Sequence, residues 1–352
     1  SQNDAINVCV GIASDDINQT PQGKAVSGNL LTNDTNLTTV TGVSFNGTNL
    51  VVDGTTANTL TIGGVTYGTI VVKTDGTYTF TPAAGYTGSV PPITYTATNV
   101  NGGTDTANLN ITVVKDYVTG TNNPPVANHD MATVKQGNPV TVNPLSNDSD
   151  PDRNTLTVTS ISYNGTPISI ISASPTTITV GGVTAGTAYQ DASGNLIFTA
   201  SSGYTGDVPF TYGITDDETS TPKATGTINV TVLPSTATLP VIDASDDAKT
   251  APQGTGISGD VKDNDTWGGT NPAVTAGSIT YNGTITTLTP GTETTIAGAG
   301  KVTLNTDGKY TFVPEPTFTG TLPVTYTVTN DAGNTDKATL YLTSLPAVEA
   351  TD

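Results

Sequence analysis

One pattern occurs three times in the chain and constrains the fold more than any other feature. The copies begin at Asp75, Ser193 and Asp307, and each reads as a turn, a strand, a corner and a second strand. The corner aromatic residues, 118 and 114 residues apart, are Tyr86, Tyr204 and Phe318. A period this long indicates whole repeated domains, because solenoid units repeat roughly every 20 to 50 residues.

Each copy alternates apolar and polar residues with a period of two, which is typical of a half-buried strand. The pattern predicts that Phe80, Phe198 and Phe312 point into a core. Asn-Gly pairs at 46–47, 164–165 and 282–283 are strong signals for β-hairpins. No stretch has the periodicity of an amphipathic helix. Many short strands with frequent turn signals predict an all-β fold of three tandem β-sandwich domains.

The repeats set the predicted domain boundaries. Residues 1–12 match the last strand of a preceding repeat, and residues 347–352 match the start of a following one. The three complete repeats are predicted at 13–120, 121–236 and 237–346. Short linkers rich in proline favour a stiff connection between domains. We therefore expect an elongated rod, excised from a longer tandem array.

Charge and composition exclude several classes of function. The net charge of −19, with 11 Lys and Arg residues, disfavours binding to nucleic acid or anionic lipid. No apolar run is long enough to insert into a membrane. Cys9 is the single cysteine and His129 the single histidine. We interpret Cys9 as a strand residue without a redox role and His129 as an incidental surface residue, so the chain is not expected to be an enzyme.

Acidic loops are the best chemical signal in the sequence. The run Asn147-Asp-Ser-Asp-Pro-Asp152 places carboxylates at alternate positions of one loop. Calcium takes six to eight oxygen ligands, and a sandwich that gathers such loops at one pole could supply them. The candidate ligands are Asp130, Asp148, Asp150, Asp152, Asp216 and Asp217. The alternative, that these side chains only cap turns, stays open.

The first and third repeats carry a weaker version of this signal. What remains is Asp16, Asp34 and Asp105 in the first, and Asp247, Asp265 and Asp336 in the third. Both lack the second and third carboxylates of the loop, so Ca²⁺ is expected in the second repeat before the others. Trp267, the only tryptophan, lies in the corresponding loop of the third repeat. It either covers a domain end or offers a platform for a sugar.

These motifs resemble the bacterial Ig-like or cadherin-like tandem repeats of giant secreted adhesins. The resemblance rests on Ala127-Asn-His-Asp130, Ala244-Ser-Asp-Asp247, the acidic run, and Phe198 with Gly203-Tyr-Thr-Gly206 and Phe210-Thr-Tyr-Gly-Ile-Thr-Asp216. It implies Ig-like or cadherin-like sandwiches, and calcium ligands where the acidic run stands. The Thr- and Asn-rich style is similar to that of the surface adhesins of gliding Bacteroidetes.

The expected function is a non-enzymatic segment of a bacterial cell-surface adhesin, located outside the cell. It would act as a stalk or spacer, or as a contact surface for adhesion, with gliding motility as one setting for that adhesion. Its expected partners are neighbouring repeats of the same chain and an unidentified surface or glycan, with the segment itself monomeric. Two alternatives remain: an array of carbohydrate-binding modules from a secreted glycoside hydrolase, and an S-layer-like structural protein.

Overall fold

The computed structural model describes residues 11–218 and 224–349, so Cys9 and most of the two flanking partial repeats lie outside the described residues. Within those two ranges every regular element is a strand. The first domain and the linker that follows it contain β1 (Asp16–Pro21), β2 (Val26–Asn29), β3 (Thr39–Phe45), β4 (Thr48–Asn49), β5 (Asn58–Ile62), β6 (Val65–Val72), β7 (Thr77–Pro82), β8 (Gly88–Ser89), β9 (Ile93–Thr98), β10 (Thr104–Val114) and β11 (Tyr117–Thr119).

The second and third domains repeat this layout. The second contains β12 (His129–Lys135), β13 (Pro139–Val142), β14 (Thr157–Tyr163), β15 (Thr166–Pro167), β16 (Thr176–Val180), β17 (Val183–Gln190), β18 (Leu196–Ala200), β19 (Gly206–Thr215) and β20 (Ala224–Leu233). The third contains β21 (Ile242–Asp243), β22 (Asp247–Pro252), β23 (Ile257–Asp260), β24 (Thr266–Trp267), β25 (Ala273–Tyr281), β26 (Thr284–Leu288), β27 (Thr294–Ile296), β28 (Gly300–Leu304), β29 (Lys309–Pro314), β30 (Gly320–Thr329) and β31 (Thr335–Leu345), followed by β32 (Ala347–Glu349).

Each domain is a sandwich of two sheets with the same strand order. The larger sheets are β1-β10-β9-β3-β4, β12-β20-β19-β14-β15 and β22-β31-β30-β25-β26. The smaller sheets are β2-β7-β6-β5, β13-β18-β17-β16 and β23-β29-β28-β27. In every larger sheet the first strand pairs in parallel with the last, whereas all the other neighbours in these sheets are antiparallel. The predicted fold class of tandem β-sandwiches is confirmed.

The inner faces of the two sheets form one core in each domain. Phe80, Phe198 and Phe312 are fully buried, as the period-two pattern predicts. At the corners, the hydroxyl of Tyr86 donates to the carbonyl of Ser89, and that of Tyr204 to the carbonyl of Asp207 at 2.7 Å. Phe318 has no hydroxyl, and it packs edge-on against Phe312 with 5.8 Å between ring centroids.

The hairpin signals also mark turns. Asn46 and Gly47 have φ angles of 47° and 76°, and the pairs at 164–165 and 282–283 repeat these values closely. Positive φ at both central residues defines the turn whose twist matches antiparallel strands. Asn and Gly tolerate this left-handed conformation better than other residues, which is why the pair predicts the turn.

The expected arrangement as an elongated rod is wrong. The first and third domains touch directly, although the second domain separates them in sequence. Ile17 forms a buried cluster with Ala248 and Tyr341 of the third domain, and linker strand β11 pairs in parallel with β32. A period-two pattern shows that a residue is covered, but it does not show whether its own core or a neighbouring domain covers it.

We predict that Phe198→Ala lowers the free energy of unfolding of the second domain by about 3–5 kcal/mol, because it leaves a cavity in a close-packed core. Hydrogen exchange across all three domains measures the effect and should place it in the second domain. Ile170→Ala is the matched control, since Ile170 is 76% exposed. Equal losses in the two variants would contradict the core assignment.

Candidate functional site: buried carboxylates and the acidic pole

Every domain contains a cluster of two aspartates and one tyrosine, all of them buried except Asp34 and Asp265, which are half-buried. The first aspartate opens the first strand, the second lies in the Asn-Asp turn after the second strand, and the tyrosine points inward from the strand beside the last. The three clusters are Asp16, Asp34 and Tyr95; Asp130, Asp148 and Tyr212; and Asp247, Asp265 and Tyr326. We call them the carboxylate clusters.

The second domain illustrates their geometry. The hydroxyl of Tyr212 lies 2.8 Å from the carbonyl oxygen of Asn128 and 3.0 Å from both carboxylate oxygens of Asp148. The amide N–H of Asn128 donates to Asp148 Oδ1 at 2.8 Å. The side-chain amide of Asn147 donates to the carbonyl of His129 at 2.8 Å. The cluster therefore ties the start of the first strand to the Asn-Asp turn and to the centre of the larger sheet.

Burial makes the charged form of these carboxyls unfavourable. It raises the pKa of Asp34 to about 7 and those of Asp148 and Asp265 to about 8. Burial, and then the charge of neighbouring carboxylates, raises the pKa of Asp130 and Asp247 well above the usual range. A pair of close carboxyls in such a site retains a proton near neutral pH.

The sequence pattern does not reveal the tyrosines of these clusters. Tyr95, Tyr212 and Tyr326 occupy the same place in the three copies, within Thr-Tyr dipeptides. The alternation correctly predicts that they face inward. A repeated tyrosine at an otherwise apolar core position is the available signal, because a buried hydroxyl needs a hydrogen-bond partner.

A second group of acidic side chains lies at the end of the second domain that faces the linker from the first. We call it the acidic pole, and it consists of Asp150, Asp152 and Asp216 with Asn122 and Asn123. The amide N–H of Asn123 donates to Asp152 Oδ2 at 2.6 Å, and the side chain of Asn122 donates to Asp216 Oδ2 at 2.9 Å.

Asp150 is central to the acidic pole. Its Oδ1 accepts the amide N–H groups of Asp152 at 2.8 Å and Asn154 at 3.1 Å. Its Oδ2 is buried and has no hydrogen-bond partner. Burial raises the pKa of Asp150, and the carboxylates of Asp152 and Asp216 raise it further.

The structure thus divides the six candidate ligands. Asp130 and Asp148 lie in the carboxylate cluster, Asp150, Asp152 and Asp216 lie at the acidic pole, and Asp217 is exposed beside it. Across the described ranges, no group of three or more His, Cys, Asp or Glu side chains is arranged to hold a metal ion. Several of the carboxylates instead accept hydrogen bonds within turns, as the turn-capping alternative expects.

The third domain fills the position of Asp150 with Trp267. Counted from the second aspartate of each cluster, Asn36, Asp150 and Trp267 are equivalent. The indole N–H of Trp267 donates to Asp265 Oδ2 at 2.9 Å, and the Lys262 ammonium lies 4.9 Å from the centre of its ring. Trp267 is half-buried against the core, so it covers the domain end. A fixed N–H donor here takes a carboxylate oxygen that a cation would otherwise need.

The interpretation of His129 as a surface residue is wrong, since it is 9% exposed and lies between the first and second domains. Its Nε2 is 3.1 Å from Asp15 Oδ2, and its Nδ1 is 2.7 Å from the hydroxyl of Thr227. Asp15 in turn accepts the amide N–H of Asn108 at 2.8 Å through its other oxygen. Burial at a domain junction explains the histidine without a catalytic role.

Models of three repeat families match the three domains. Residues 10–113 match the repetitive domain of the surface adhesin CshA, residues 122–234 a bacterial cadherin-like domain, and residues 276–344 a cadherin-like domain. The chain is a tandem array of repeats of the cadherin-like and surface-adhesin type. These are families of adhesion domains rather than of enzymes. No curated protein matches the sequence.

Several solved structures have remote similarity to the adhesin repeats. Immunoglobulin domains 1–4 of Sidekick-1 match at 14% identity and a TM-score of 0.22, covering 95% of this chain and 75% of that one. Domains EC21–23 of human CDH23 match at 14% identity and a TM-score of 0.20, and the match covers 93% of this chain and 97% of that one. The third structure is Bacteroides ovatus SGBP-B in complex with a mixed-linkage heptasaccharide. It matches at 12% identity and a TM-score of 0.19, and the match covers 95% of this chain and 67% of that one. The described part of the adhesin repeats contains no helix capable of crossing a membrane.

We predict that the adhesin repeats lose stability as pH rises from about 5 to 8 in the presence of a chelator. In this window the cluster carboxyls keep protons in the folded state, whereas in the unfolded chain they titrate near 3.8. Stability from such groups is complete below the unfolded pKa and is lost as pH rises through the folded pKa. Calorimetry at constant ionic strength measures the trend.

Asp148→Asn is the matched variant for this prediction, because an amide cannot ionise at this position. It should weaken the pH dependence of the second domain's melting temperature and leave those of the first and third domains unchanged. A melting temperature of the wild-type domain that rises between pH 5 and 8 would contradict the retention of protons by the carboxylate clusters.

Proposed function

We propose that these adhesin repeats form a force-resisting stalk of a bacterial cell-surface adhesin, exposed outside the cell. The observation that carries this proposal is the parallel pairing of the first and last strands in every domain. Asp16 pairs with Leu109, Asp130 with Ile228 and Asp247 with Leu340, and each pairing continues over the length of the first strand.

This pairing determines how tension acts on a domain. The chain enters a domain at the beginning of the first strand and leaves it at the end of the last strand. Because the two strands are parallel neighbours, opposed pulling slides one along the other and strains all the hydrogen bonds between them together. Strands pulled apart from one end would instead lose these bonds one at a time. A sandwich closed in this way suits a segment that transmits load.

The placement of the aromatic residues supports a stalk over a sugar-binding array. All Tyr, Phe and Trp side chains of the chain fall in the described ranges, and each is buried or half-buried. Stacking on sugars is best served by a fully exposed aromatic face, and none of these side chains is fully exposed. The many exposed Thr and Asn residues suit contact with surfaces, and on that composition alone we include adhesion during gliding motility among the uses of the stalk.

We predict that Ala132→Pro lowers the force needed to unfold the second domain. Ala132 is equivalent to Asn18, and its amide faces β20 by the alternation of the strand, so proline removes a bond between the sheared strands. Thr133→Pro is the neighbouring control, because its amide points away from β20. Pulling the full chain in optical tweezers should show three unfolding steps, one of them weakened only by Ala132→Pro.

The stalk proposal fails if wild-type domains unfold at forces as low as those of the proline variant. Tight and selective binding to one glycan on an array would favour the sugar-binding alternative instead.

We further propose that the second domain binds Ca²⁺ at the acidic pole. Asp150, Asp152 and Asp216 would hold the ion with Asp130, Asp148 and Asp217 as the remaining candidates. The donor chemistry supports the proposal, because carboxylate and amide oxygens are the ligands that calcium prefers and because Asp150 Oδ2 is buried without a hydrogen-bond partner. The side chains are not yet grouped around one point, so binding would draw them together. Bound calcium would neutralise the like charges at this pole and stabilise the folded domain by mass action.

We predict that chelation lowers the melting temperature of the second domain more than those of the first and third. Asp150→Ala should abolish this response, whereas Asp191→Ala, which changes an exposed turn of the same domain, should preserve it. Differential scanning calorimetry with CaCl₂ against chelator provides the readout. Equal shifts in all three domains, or none, would exclude a specific site in the second.

A further inference from the structure

Strand β1 is buried along its whole length, although it is an edge strand. It has a hydrogen-bonded neighbour on one side only, yet all six of its residues are buried. The equivalent strand β12 leaves Met131, Ala132 and Thr133 half-buried. The free side of β1 is therefore covered by something other than its own sheet, and the third domain provides that cover.

The third domain covers β1 with side chains. Ile17 packs against Ala248 and Tyr341, and the side-chain amide of Gln19 donates to the carbonyl of Lys249 at 3.0 Å. The hydroxyl of Thr321 donates to the carbonyl of Gln19 at 2.6 Å. These contacts satisfy the open edge of β1 without continuing the sheet into the third domain.

Tyr341 is the residue that distinguishes the third domain in this contact. The strand registers make it equivalent to Asn110 and Asn229 in the other domains. It points out of its own sandwich, yet it is 1% exposed, because it lies in the buried cluster with Ile17 of the first domain. A tyrosine placed where both other repeats carry asparagine is specific to this contact.

The contact is small beside the cores it joins. Its apolar part consists of two small clusters, one of Ile17, Ala248 and Tyr341 and the other of Val114 and Leu345 with Val126 of the second domain. Each sandwich, in contrast, has a continuous core of its own. Among the residues that the structure describes, the flanks of the two domains pair as strands only through β11 and β32, over three residues. When the contact opens, the edge groups of β1 can bond to water. The contact therefore costs less to break than a sandwich costs to unfold.

We propose that the contact between the first and third domains is a releasable clasp, which opens under tension before any sandwich unfolds and so lengthens the segment. The clasp rests on the stalk function proposed above, since it acts only if the chain carries load. Opening the clasp extends the segment while the domains stay folded, and the clasp forms again when the tension falls.

Optical tweezers on the full chain test this directly. We expect a short, reversible lengthening at a force below the three unfolding steps. If the three steps occur without it, the clasp is overturned and the stalk stands. If the early lengthening occurs but the sandwiches then unfold at low force, the stalk fails and the clasp does not.

Tyr341→Asn gives the third domain the residue found at this position in the other two. It should remove the early lengthening and keep the three unfolding steps. Tyr189→Asn, which replaces a half-buried tyrosine on β17 of the second domain, is the matched control and should keep both. Persistence of the early lengthening in Tyr341→Asn would overturn the clasp.

A cross-linked variant provides a test that does not depend on weakening the fold. Ile17→Cys with Ala248→Cys, in a Cys9→Ser background, should form an intramolecular disulfide because both positions lie in the same small buried cluster. Oxidation should suppress the early lengthening, and a reducing agent should restore it. Failure to cross-link, or an unchanged early lengthening after oxidation, would overturn the proposal.

Discussion

The parallel pairing of the first strand with the last is the interaction on which each domain depends. It adds the first strand to the edge of the larger sheet. It also brings the aspartate at the start of that strand close to the cluster tyrosine, which lies two strands away in the sheet. It also leaves one side of the first strand open. That open side is where the three domains meet, since His129, Ile17 and Lys249 all lie on first strands and all contact a neighbouring domain.

Burying two carboxyls in each sandwich is costly unless hydrogen bonds and a shared proton or cation offset the charge. The three domains use the same tyrosine and the same backbone amide for this purpose, but they differ at one equivalent position. The second domain adds Asp150 there and gains negative charge, whereas the third adds Trp267 and gains an N–H donor. This one position therefore sets whether the domain end carries an additional carboxylate or an N–H donor beside the cluster.

The sandwich fold could be predicted from the sequence because alternation and Asn-Gly turns are local signals. The burial of Phe80 and the hairpin turn at 46–47 follow from neighbouring residues alone. The acidic loop could be found as a run of carboxylates, but its division into a buried cluster and a pole could not, since that depends on which oxygens the tyrosine and the linker asparagines reach. The burial of His129 cannot be predicted from the sequence for the same reason, because its partner Asp15 lies 114 residues away.

The contacts between domains follow a different rule from the domains themselves. Residues that build a sandwich recur in all three repeats, as the core phenylalanines and cluster tyrosines do. Two residues that join one domain to another differ from their equivalents: Tyr341 stands where the others have asparagine, and His129 stands where the others have Asp15 and Asp246. Identical repeats would offer the same outer faces everywhere and could pair in several ways. Varying only the outer positions leaves each sandwich stable and makes one arrangement of the three domains preferable to the rest.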